Sequence, residues 1–370
     1  MKHLRTITVI AALLSACTLS FAQTNDELME EIQKLKAYNN SLQHTFDQII
    51  KNIDDVLWYE KVGDVAYIDK VYLTGEPKAK QGSPTSRGYN NPFKFWNYVF
   101  IPKTVDPDKK YPLIVFPHSG VHADMSTYYA HIIRELMAQE YIVIATEYRG
   151  STGYGSGTYK AIDYGGRENS DVKAGRDYMI ENYDIVDPNR VGIMGWSHGG
   201  MITLMNLFEY PDAYKVGYAG VPVSDLIARM GIATDSYRDL FSASYHIGST
   251  VSQNVQEYKR RSPVWNTHKL KSPLLIYSNT NDDDVDVLEV EHLIKSLKAD
   301  GKKFEYKIYE AAAGGHSFDR IDTKEATDIR FTVYKFLEKY LKPNKPFKTP
   351  DDRHSNGSTS KCNFAVLPSL

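Results

Sequence analysis

The sequence is poor in cysteine, which limits what could cross-link the chain or bind a metal ion. Only two cysteines occur in 370 residues, Cys17 and Cys362. Cys17 falls within an N-terminal leader, so Cys362 has no partner for an intramolecular disulfide. A zinc site built on thiolates is excluded for the same reason. A chain of this length can bury a large core without cross-links.

No charge of one sign dominates the chain. Its 44 Lys and Arg residues and 46 Asp and Glu residues leave a net charge of −2. Basic residues do not cluster with aromatic ones, so we expect no nucleic-acid partner. The hydrophobic content of 42% and the charged content of 24% are typical of a globular protein.

Long hydrophobic runs are scarce, and the apolar stretch near the N-terminus covers only residues 7–14. Lys2, His3 and Arg5 precede it and small residues follow it, which is the pattern of an export leader. The stretch is too short to predict a membrane-spanning helix. We therefore expect the protein to leave the cytoplasm.

Two cleavage sites compete at the end of this leader. Residues 14–17 resemble a bacterial lipobox, in which 1–16 is removed and a lipidated Cys17 becomes the mature N-terminus. Residues 20–22 resemble an ordinary signal-peptidase site, which would make the leader 1–22. Both alternatives predict a periplasmic, cell-surface or secreted protein. Lipidated Cys17 is the only membrane attachment that we expect.

Residues 23–92 are predicted to form an N-terminal extension. Apolar residues recur every three or four positions between 26 and 59, which predicts an amphipathic helix. Such a helix packs on the main domain or on a second copy of the chain, giving a homo-oligomer. Residues 65–73 and 94–101 are rich in Val, Tyr and Phe and predict an antiparallel pair of strands.

Residues 93–342 are predicted to form an α/β domain, because short apolar segments alternate with amphipathic ones. Uncharged strands between amphipathic helices indicate a mostly parallel sheet with helices on both faces. Ligands of such sheets bind beyond the carboxyl ends of the strands. The predicted strands are 113–116, 141–145, 191–194, 216–219, 274–277 and 304–309; the predicted helices are 128–139, 170–182, 201–208, 289–298 and 323–341. Residues 343–370 lack periodicity and are predicted to be disordered.

The segment Gly195-Trp196-Ser197-His198-Gly199 stands between a predicted strand and a predicted helix. This Gly-x-Ser-x-Gly pattern is that of a nucleophile elbow, a tight turn that exposes the serine hydroxyl. The glycines make room for the strained serine backbone. Ser197 is therefore the candidate nucleophile.

A serine nucleophile needs a histidine base and a carboxylate that orients the histidine. In enzymes with an elbow the acid precedes the histidine, and both follow strands. Asp282, Asp283 and Asp284 follow the strand at 274–277, and His316 follows the last strand within a glycine-rich loop. We expect one of these aspartates to hold His316.

An acyl transfer also needs N–H donors for the developing oxyanion. The backbone N–H of His198 directly follows the nucleophile, and Gly120 lies in the loop after an early strand, so we expect both to donate. His118, His122 and His131 superficially suggest a metal site. Their spacing is not that of a metal-binding helix, so we expect no metal and no cofactor.

These motifs together resemble the catalytic domain of the prolyl oligopeptidase family of serine peptidases, across about residues 95–341. The elbow with its second glycine at 195–200 carries the resemblance, as does Tyr-Arg-Gly-Ser-Thr-Gly-Tyr-Gly at 148–155. Asp-x-x-Val at 282–285 resembles the family's acid loop, and Gly-His-x-Phe at 315–318 resembles its histidine loop. The resemblance implies an α/β-hydrolase fold.

The resemblance also ranks the aspartates, with Asp282 as the triad acid and Asp283 as the alternative. The loop at Gly120 departs from the family's His-Gly-Gly-Pro, since it reads His-Ser-Gly-Val. Large family members carry an N-terminal β-propeller, for which the segment before residue 93 is too short. Specificity that depends on the propeller is therefore not expected to carry over.

The sequence as a whole predicts an exported serine hydrolase with a triad of Ser197, His316 and Asp282. Cleavage of peptide bonds is the leading expectation. A carboxylic ester hydrolase, such as a carbohydrate deacylase, is the alternative, and a non-catalytic binding protein is a third hypothesis. Residues 224–266 are expected to form a cap that sets specificity.

Overall fold

An eight-stranded sheet forms the centre of the computed structural model, which describes the backbone of residues 2–354 and the side chains of residues 25–352. The strands are β1 (Ala66–Pro77), β2 (Pro92–Pro102), β3 (Tyr111–Val115), β4 (Ile142–Thr146), β5 (Val186–Trp196), β6 (Val216–Gly220), β7 (Leu274–Asn279) and β8 (Glu305–Tyr309). Their order across the sheet is β1-β2-β4-β3-β5-β6-β7-β8.

Strand direction divides this sheet into two parts. β1 pairs antiparallel with β2, and β2 pairs antiparallel with β4. All pairings from β4 through β3, β5, β6 and β7 to β8 are parallel. β3, β4, β6 and β7 are buried along their whole length, as expected for parallel strands covered on both faces. The predicted antiparallel pair is confirmed, and it extends the parallel sheet at one edge.

Helices cover both faces of the sheet. They are α1 (Lys2–Val62), α2 (Ala130–Ala138), α3 (Ser156–Tyr159), α4 (Arg167–Asn182), α5 (His198–Glu209), α6 (Leu226–Ile232), α7 (Asp235–Ser242), α8 (Val255–Arg261), α9 (Val287–Ala299) and α10 (Lys324–Leu341). Side chains of α4, α5 and α9 share one apolar core with Leu113 and Val115 of β3. Side chains of α1, α2 and α10 share the second core with Ile114. Alternate residues of a strand thus enter opposite cores, and the predicted α/β fold is confirmed.

The C-terminal end of α1 is anchored on the domain. Trp58 and Val62 are fully buried in the second core. Lys51 is buried as well, and its Nζ lies 2.9 Å from Asp124 and 2.7 Å from Glu147. Burying an aromatic side chain such as Trp58 contributes on the order of 3 kcal/mol. The helix is therefore held by an apolar anchor and a buried ion pair.

Two expectations concern the ends of the chain. The predicted leader with Cys17 lies outside the described side chains, and so does Cys362. Among the described residues, no helix combines the length and apolar character needed to cross a membrane. Disorder does not begin at residue 343 as expected, because Phe347 is buried and packs edge-on against Tyr334 at 6.0 Å. Ring packing on α10 therefore orders the start of the tail.

Candidate active site

Ser197 lies at the sharp turn between β5 and α5. Its backbone has φ 57° and ψ −121°, a sparsely populated conformation for a residue with a side chain. A hydrogen bond from Ser197 N to Gly220 O, 2.9 Å long, holds the turn against β6. A Cβ at position 195 would lie 2.5 Å from Gly199 O, and one at 199 would lie 2.3 Å from Pro117 O. Glycine is required at both positions, as the elbow pattern predicts.

Asp282 and His316 lie together beyond the carboxyl ends of β7 and β8. His316 Nδ1 lies 2.8 Å from each carboxylate oxygen of Asp282. The Asp282 side chain is fully buried, and its Oδ1 also accepts the backbone N–H groups of Asp284 and Val285. These two bonds fix the carboxylate, so it can orient the imidazole and stabilise its protonated form. Among the hydrogen bonds of the described residues, none joins the alternative acid, Asp283, to the imidazole, and Asp283 is exposed.

Buried polar contacts fasten the histidine loop to the elbow. Trp196, which precedes the serine, donates its indole N–H to Asp319 Oδ2 at 2.7 Å. Tyr218 donates its hydroxyl to the same oxygen. Arg320 donates to His316 O and also to Ser119 Oγ, the latter at 2.7 Å. The loops after β3, β5 and β8 are thus joined at one edge of the sheet.

The second imidazole nitrogen of His316 faces another carboxylate. His316 Nε2 lies 3.4 Å from Asp284 Oδ2. Asp284 is half exposed and forms a 2.7 Å ion pair with Arg229, which also pairs with the buried Glu289 at 3.1 Å. Among the described side chains, no hydrogen bond joins Ser197 Oγ to His316. The structure thus brings the acid and the base together and leaves the serine–histidine bond unmade.

The two residues expected to stabilise an oxyanion flank the elbow. His198 is the first residue of α5, where backbone N–H groups point away from the helix unpaired. Gly120 has φ 78°, and a Cβ there would lie 2.7 Å from Ala123 Cβ. Tyr148 donates its hydroxyl to Gly120 O at 2.8 Å and so fixes the orientation of this peptide. The loop geometry therefore requires glycine at this position.

The side chain of His198 is buried beneath the elbow with Glu168. Both ring nitrogens of His198 lack a hydrogen-bond partner among the described residues, and Nε2 lies 3.6 Å from Glu168 Oε1. Burial lowers the pKa of His198 well below its usual range. Burial raises the pKa of Glu168 to about 7. Glu168 accepts backbone N–H groups from Gly165 and Gly166. At neutral pH a neutral imidazole therefore lies beneath the elbow beside a carboxyl that is about half protonated.

The histidines that superficially suggested a metal site have other partners. His118 Nε2 lies 2.8 Å from Ser151 Oγ, and His131 Nε2 lies 2.8 Å from Arg320 O. His122 bonds to Gly150 O and places its Nε2 3.1 Å from that of His246. Burial lowers the pKa of His122 to about 4 and that of His246 to about 3. Both rings are therefore neutral at neutral pH.

Residues 224–266, the expected cap, form α6, α7 and α8. Phe241 of this segment is buried and packs edge-on against Tyr164 at 4.3 Å. Arg229 donates to the hydroxyl of Tyr237 at 2.9 Å. A cavity of about 290 Å³ lies between α6, α7 and the acid loop, and Arg229, Tyr237, Asp282 and Asp284 help to line it. The cap thus supplies one wall of a pocket that reaches the acid loop.

Sequence reasoning missed the roles of Arg229, Glu168 and His246. Arg229 is separated by 55 residues from its partner Asp284, so no local pattern pairs them. The sequence did offer one signal for Arg229, which is a charged residue within the otherwise apolar start of a helix.

Comparison with known proteins gives a consistent picture. The sequence profile of the prolyl oligopeptidase family, Peptidase_S9, matches residues 127–344, more than half of the chain. The chain is 28% identical to the Uncharacterized peptidase YuxL of Bacillus subtilis, over 60% of this chain and 33% of that protein. It is 26% identical to the Acylamino-acid-releasing enzyme of Arabidopsis thaliana, over 77% of this chain and 39% of that protein. The chain thus spans between a third and two fifths of the length of these relatives.

Solved structures show the same fold. The acylaminoacyl peptidase of Pyrococcus horikoshii superposes with a TM-score of 0.62 and 19% identity, covering 78% of this chain and 44% of that one. A puromycin hydrolase superposes with a TM-score of 0.59 and 19% identity, covering 74% of this chain and 39% of that one. At these identities the likeness shows the fold alone.

Proposed function

Because the chain belongs to the prolyl oligopeptidase family, we propose that it is a serine peptidase that cleaves peptide bonds through an acyl-enzyme. One observation carries the proposal: His316 Nδ1 is 2.8 Å from both oxygens of the buried Asp282, at the sheet edge that also presents Ser197. An aspartate and a histidine bonded in this way are the pair of groups that a serine nucleophile needs.

In the proposed reaction Ser197 Oγ attacks the carbonyl carbon of the scissile bond. His316 Nε2 takes the hydroxyl proton and then gives it to the leaving amine, while Asp282 stays ionised and orients the ring. The N–H groups of His198 and Gly120 stabilise the oxyanion. Water, activated by the same histidine, then hydrolyses the acyl-enzyme and regenerates the serine.

Asp284 has to give way before this reaction can start. The Nε2 atom can bond the Asp284 carboxylate only as an N–H donor, whereas it must present its lone pair to accept the Ser197 proton, so it cannot serve both at once. Arg229 already holds the other carboxylate oxygen of Asp284, Oδ1, at 2.7 Å. We infer that substrate entry displaces Asp284 from His316 and leaves it on Arg229.

The relatives suggest which substrates to test first. The matched proteins include acylamino-acid-releasing enzymes and the dipeptidyl peptidase 8 of Homo sapiens. The panel should therefore contain chromogenic acylaminoacyl, dipeptidyl and aminoacyl amides beside simple carboxylic esters. Turnover of amides that is absent in Ser197→Ala supports a peptidase. Turnover of esters alone would establish the ester hydrolase instead.

A fluorophosphonate probe separates catalysis from binding alone. We expect the folded wild-type protein to be labelled and Ser197→Ala to remain unlabelled. Equal labelling of both proteins, or none of the wild type, would refute a serine enzyme and favour a binding protein on this fold.

We propose further that the chain is exported, since residues 2–22 have the pattern of a leader. Mass spectrometry of the mature N-terminus distinguishes the two cleavage sites. A diacylated Cys17 would establish a lipoprotein, and an unmodified Gln23 would establish ordinary cleavage. An intact Met1 in the cytoplasmic fraction would refute export.

A further inference from the structure

Helix α1 carries an apolar seam that the domain does not cover. Nine positions of the helix are spaced alternately by four and three residues. They are Leu28, Ile32, Leu35, Asn39, Leu42, Phe46, Ile49, Ile53 and Val56. The exposed fractions of their large apolar side chains range from 36% at Leu42 to 69% at Val56, with Ile32 half-buried. We call these nine residues the seam.

The opposite side of the same helix is the one that docks on the domain. Lys51, Asp54, Trp58 and Val62 are buried there, and Asp54 accepts hydrogen bonds from Thr127. When the seam residues are assigned to the a and d positions of a seven-residue repeat, these four buried residues occupy b, c and f positions. In a coiled coil those positions face away from the partner helix. The domain therefore leaves the seam free to meet another helix.

The N-terminal half of the seam has the residue choice of a two-stranded parallel coiled coil. Its d positions are Leu28, Leu35 and Leu42 and its a positions are Ile32 and Asn39, whereas the C-terminal half has Phe46 and Ile53 at a and Ile49 and Val56 at d. Ile at a with Leu at d favours two parallel strands. An average period of 3.5 residues over four repeats, about 42 Å of helix, gives a left-handed supercoil.

Asn39 occupies an a position in the middle of the seam. In a parallel, in-register pair the two Asn39 side chains lie in one layer and can bond to each other. In an antiparallel pair each would face an apolar d residue and remain unpaired. A single a-position Asn is the usual device that fixes register and strand number.

Charges beside the seam agree with the same register. Glu31 holds a g position, and Lys36 holds the e position of the following repeat; both are exposed. In a parallel dimer the g residue of one helix faces the following e residue of the other. Two Glu31–Lys36 pairs therefore form across the proposed interface, one on each side.

We propose that residues 28–56 form a parallel, in-register, two-stranded coiled coil with a second copy of this chain. The interface does not depend on the peptidase chemistry. It brings the two N-termini to one end of the dimer, with the two α/β domains on its outer sides. The pairing buries the seam, which would otherwise expose apolar side chains along four repeats.

Sedimentation of the purified protein tests the strand number. We expect a species of twice the chain mass for the wild type and a monomer for Leu35→Glu/Leu42→Glu. Those leucines bury four side chains per dimer, so the dissociation constant should rise by at least roughly a hundredfold. The matched control Gln33→Glu/Asn40→Glu adds the same charge at exposed b positions and should remain dimeric.

Cross-linking tests the orientation. In a Cys17→Ser/Cys362→Ser background, oxidation should join the chains of Leu28→Cys and leave those of Asn40→Cys separate. Leu28 lies at one end of the seam, so a parallel in-register pair places it against its copy, whereas an antiparallel pair places it at the opposite end of the partner helix. Far-ultraviolet circular dichroism and the thermal unfolding transition show whether each variant is folded.

Four results would overturn the proposal. They are a monomeric wild type, a trimeric wild type, an unchanged dimer in the folded Leu35→Glu/Leu42→Glu variant, and a Leu28→Cys dimer that cross-links no faster than Asn40→Cys.

Discussion

Glu168→Gln tests whether a protonated carboxyl supports the elbow. Glu168 is fully buried, and burial raises its pKa from 4.5 to about 7. The folded protein thus binds a proton that the unfolded chain releases between these two pH values. Stability from this group is fully present below about pH 4.5 and is lost as the pH rises through about 7. Glutamine carries no such proton, so the variant lacks this pH dependence.

The size of the effect follows from the same pKa shift. A shift of 7 minus 4.5, or about 2.5 pH units at about 1.4 kcal/mol each, amounts to about 3.5 kcal/mol at high pH. At pH 5 the wild type has already lost part of the stability that protonated Glu168 contributes. Between about pH 5 and pH 8 the wild type should therefore lose about 2 to 3 kcal/mol relative to Glu168→Gln.

Urea unfolding of both proteins at several pH values measures this difference. Other titrating groups are common to both proteins, so their contributions cancel in the stability difference. Any cost of placing an amide beside Gly165 and Gly166 is the same at every pH and does not affect the pH dependence of that difference. Glu310→Gln, at an exposed position after β8, is the matched control and should follow the wild type. A stability difference that stays constant within about 0.5 kcal/mol from pH 5 to pH 8 would refute the protonated carboxyl.

Three further predictions concern the acid loop and the anchor of α1. Asp282→Asn should lower kcat about 10⁴-fold because it disturbs the imidazole tautomer, whereas Asp283→Asn should leave kcat within about threefold; the reverse order would reassign the acid. Asp284→Asn should raise the rate of fluorophosphonate labelling by up to about fivefold, since a half-exposed ion pair contributes up to about 1 kcal/mol, and slower labelling would contradict its competition with Ser197. Trp58→Ala should lower the free energy of unfolding by about 3 to 5 kcal/mol in urea titrations, with Tyr67→Ala, which truncates an exposed ring, costing under about 1 kcal/mol; equal losses would mean that Trp58 is not an anchor.

Local patterns in the sequence were enough to predict the fold. Strand and helix periods depend on neighbouring residues, and so the alternation after residue 111 predicted the parallel sheet that is observed. The glycines at 195 and 199 predicted a tight turn. A Cβ atom at either position would collide with the backbone of the turn itself or of the adjoining loop. Boundaries were less accurate: β5 begins at Val186, five residues before the predicted strand. Asp187 and Pro188 disfavour a strand, and they lie in an irregular stretch between the pairs Tyr111–Val186 and Leu113–Val191, so only the pairing of Val186 with β3 extends β5 this far.

The tail shows the limit of composition as evidence. Residues after 342 are rich in Pro, Ser and Asn, which predicted disorder from 343 onward. A single aromatic residue, Phe347, finds a partner on α10 and orders the start of this segment. Composition averages over a window and cannot show that one side chain meets a surface.

The sequence by itself determined the kind of chemistry available, since Ser197, an aspartate and His316 follow successive strands in the order that an elbow enzyme requires. Only the tertiary structure decided which aspartate meets the imidazole and what surrounds that pair. Three neighbouring aspartates share one loop, and the turn that directs Asp282 toward His316 depends on bonds to the backbone of Asp284 and Val285. The contact of Asp284 with His316 depends in turn on Arg229, which reaches the loop from a different part of the chain. Contacts between residues far apart in sequence leave no periodic signal, because they arise from how whole elements pack.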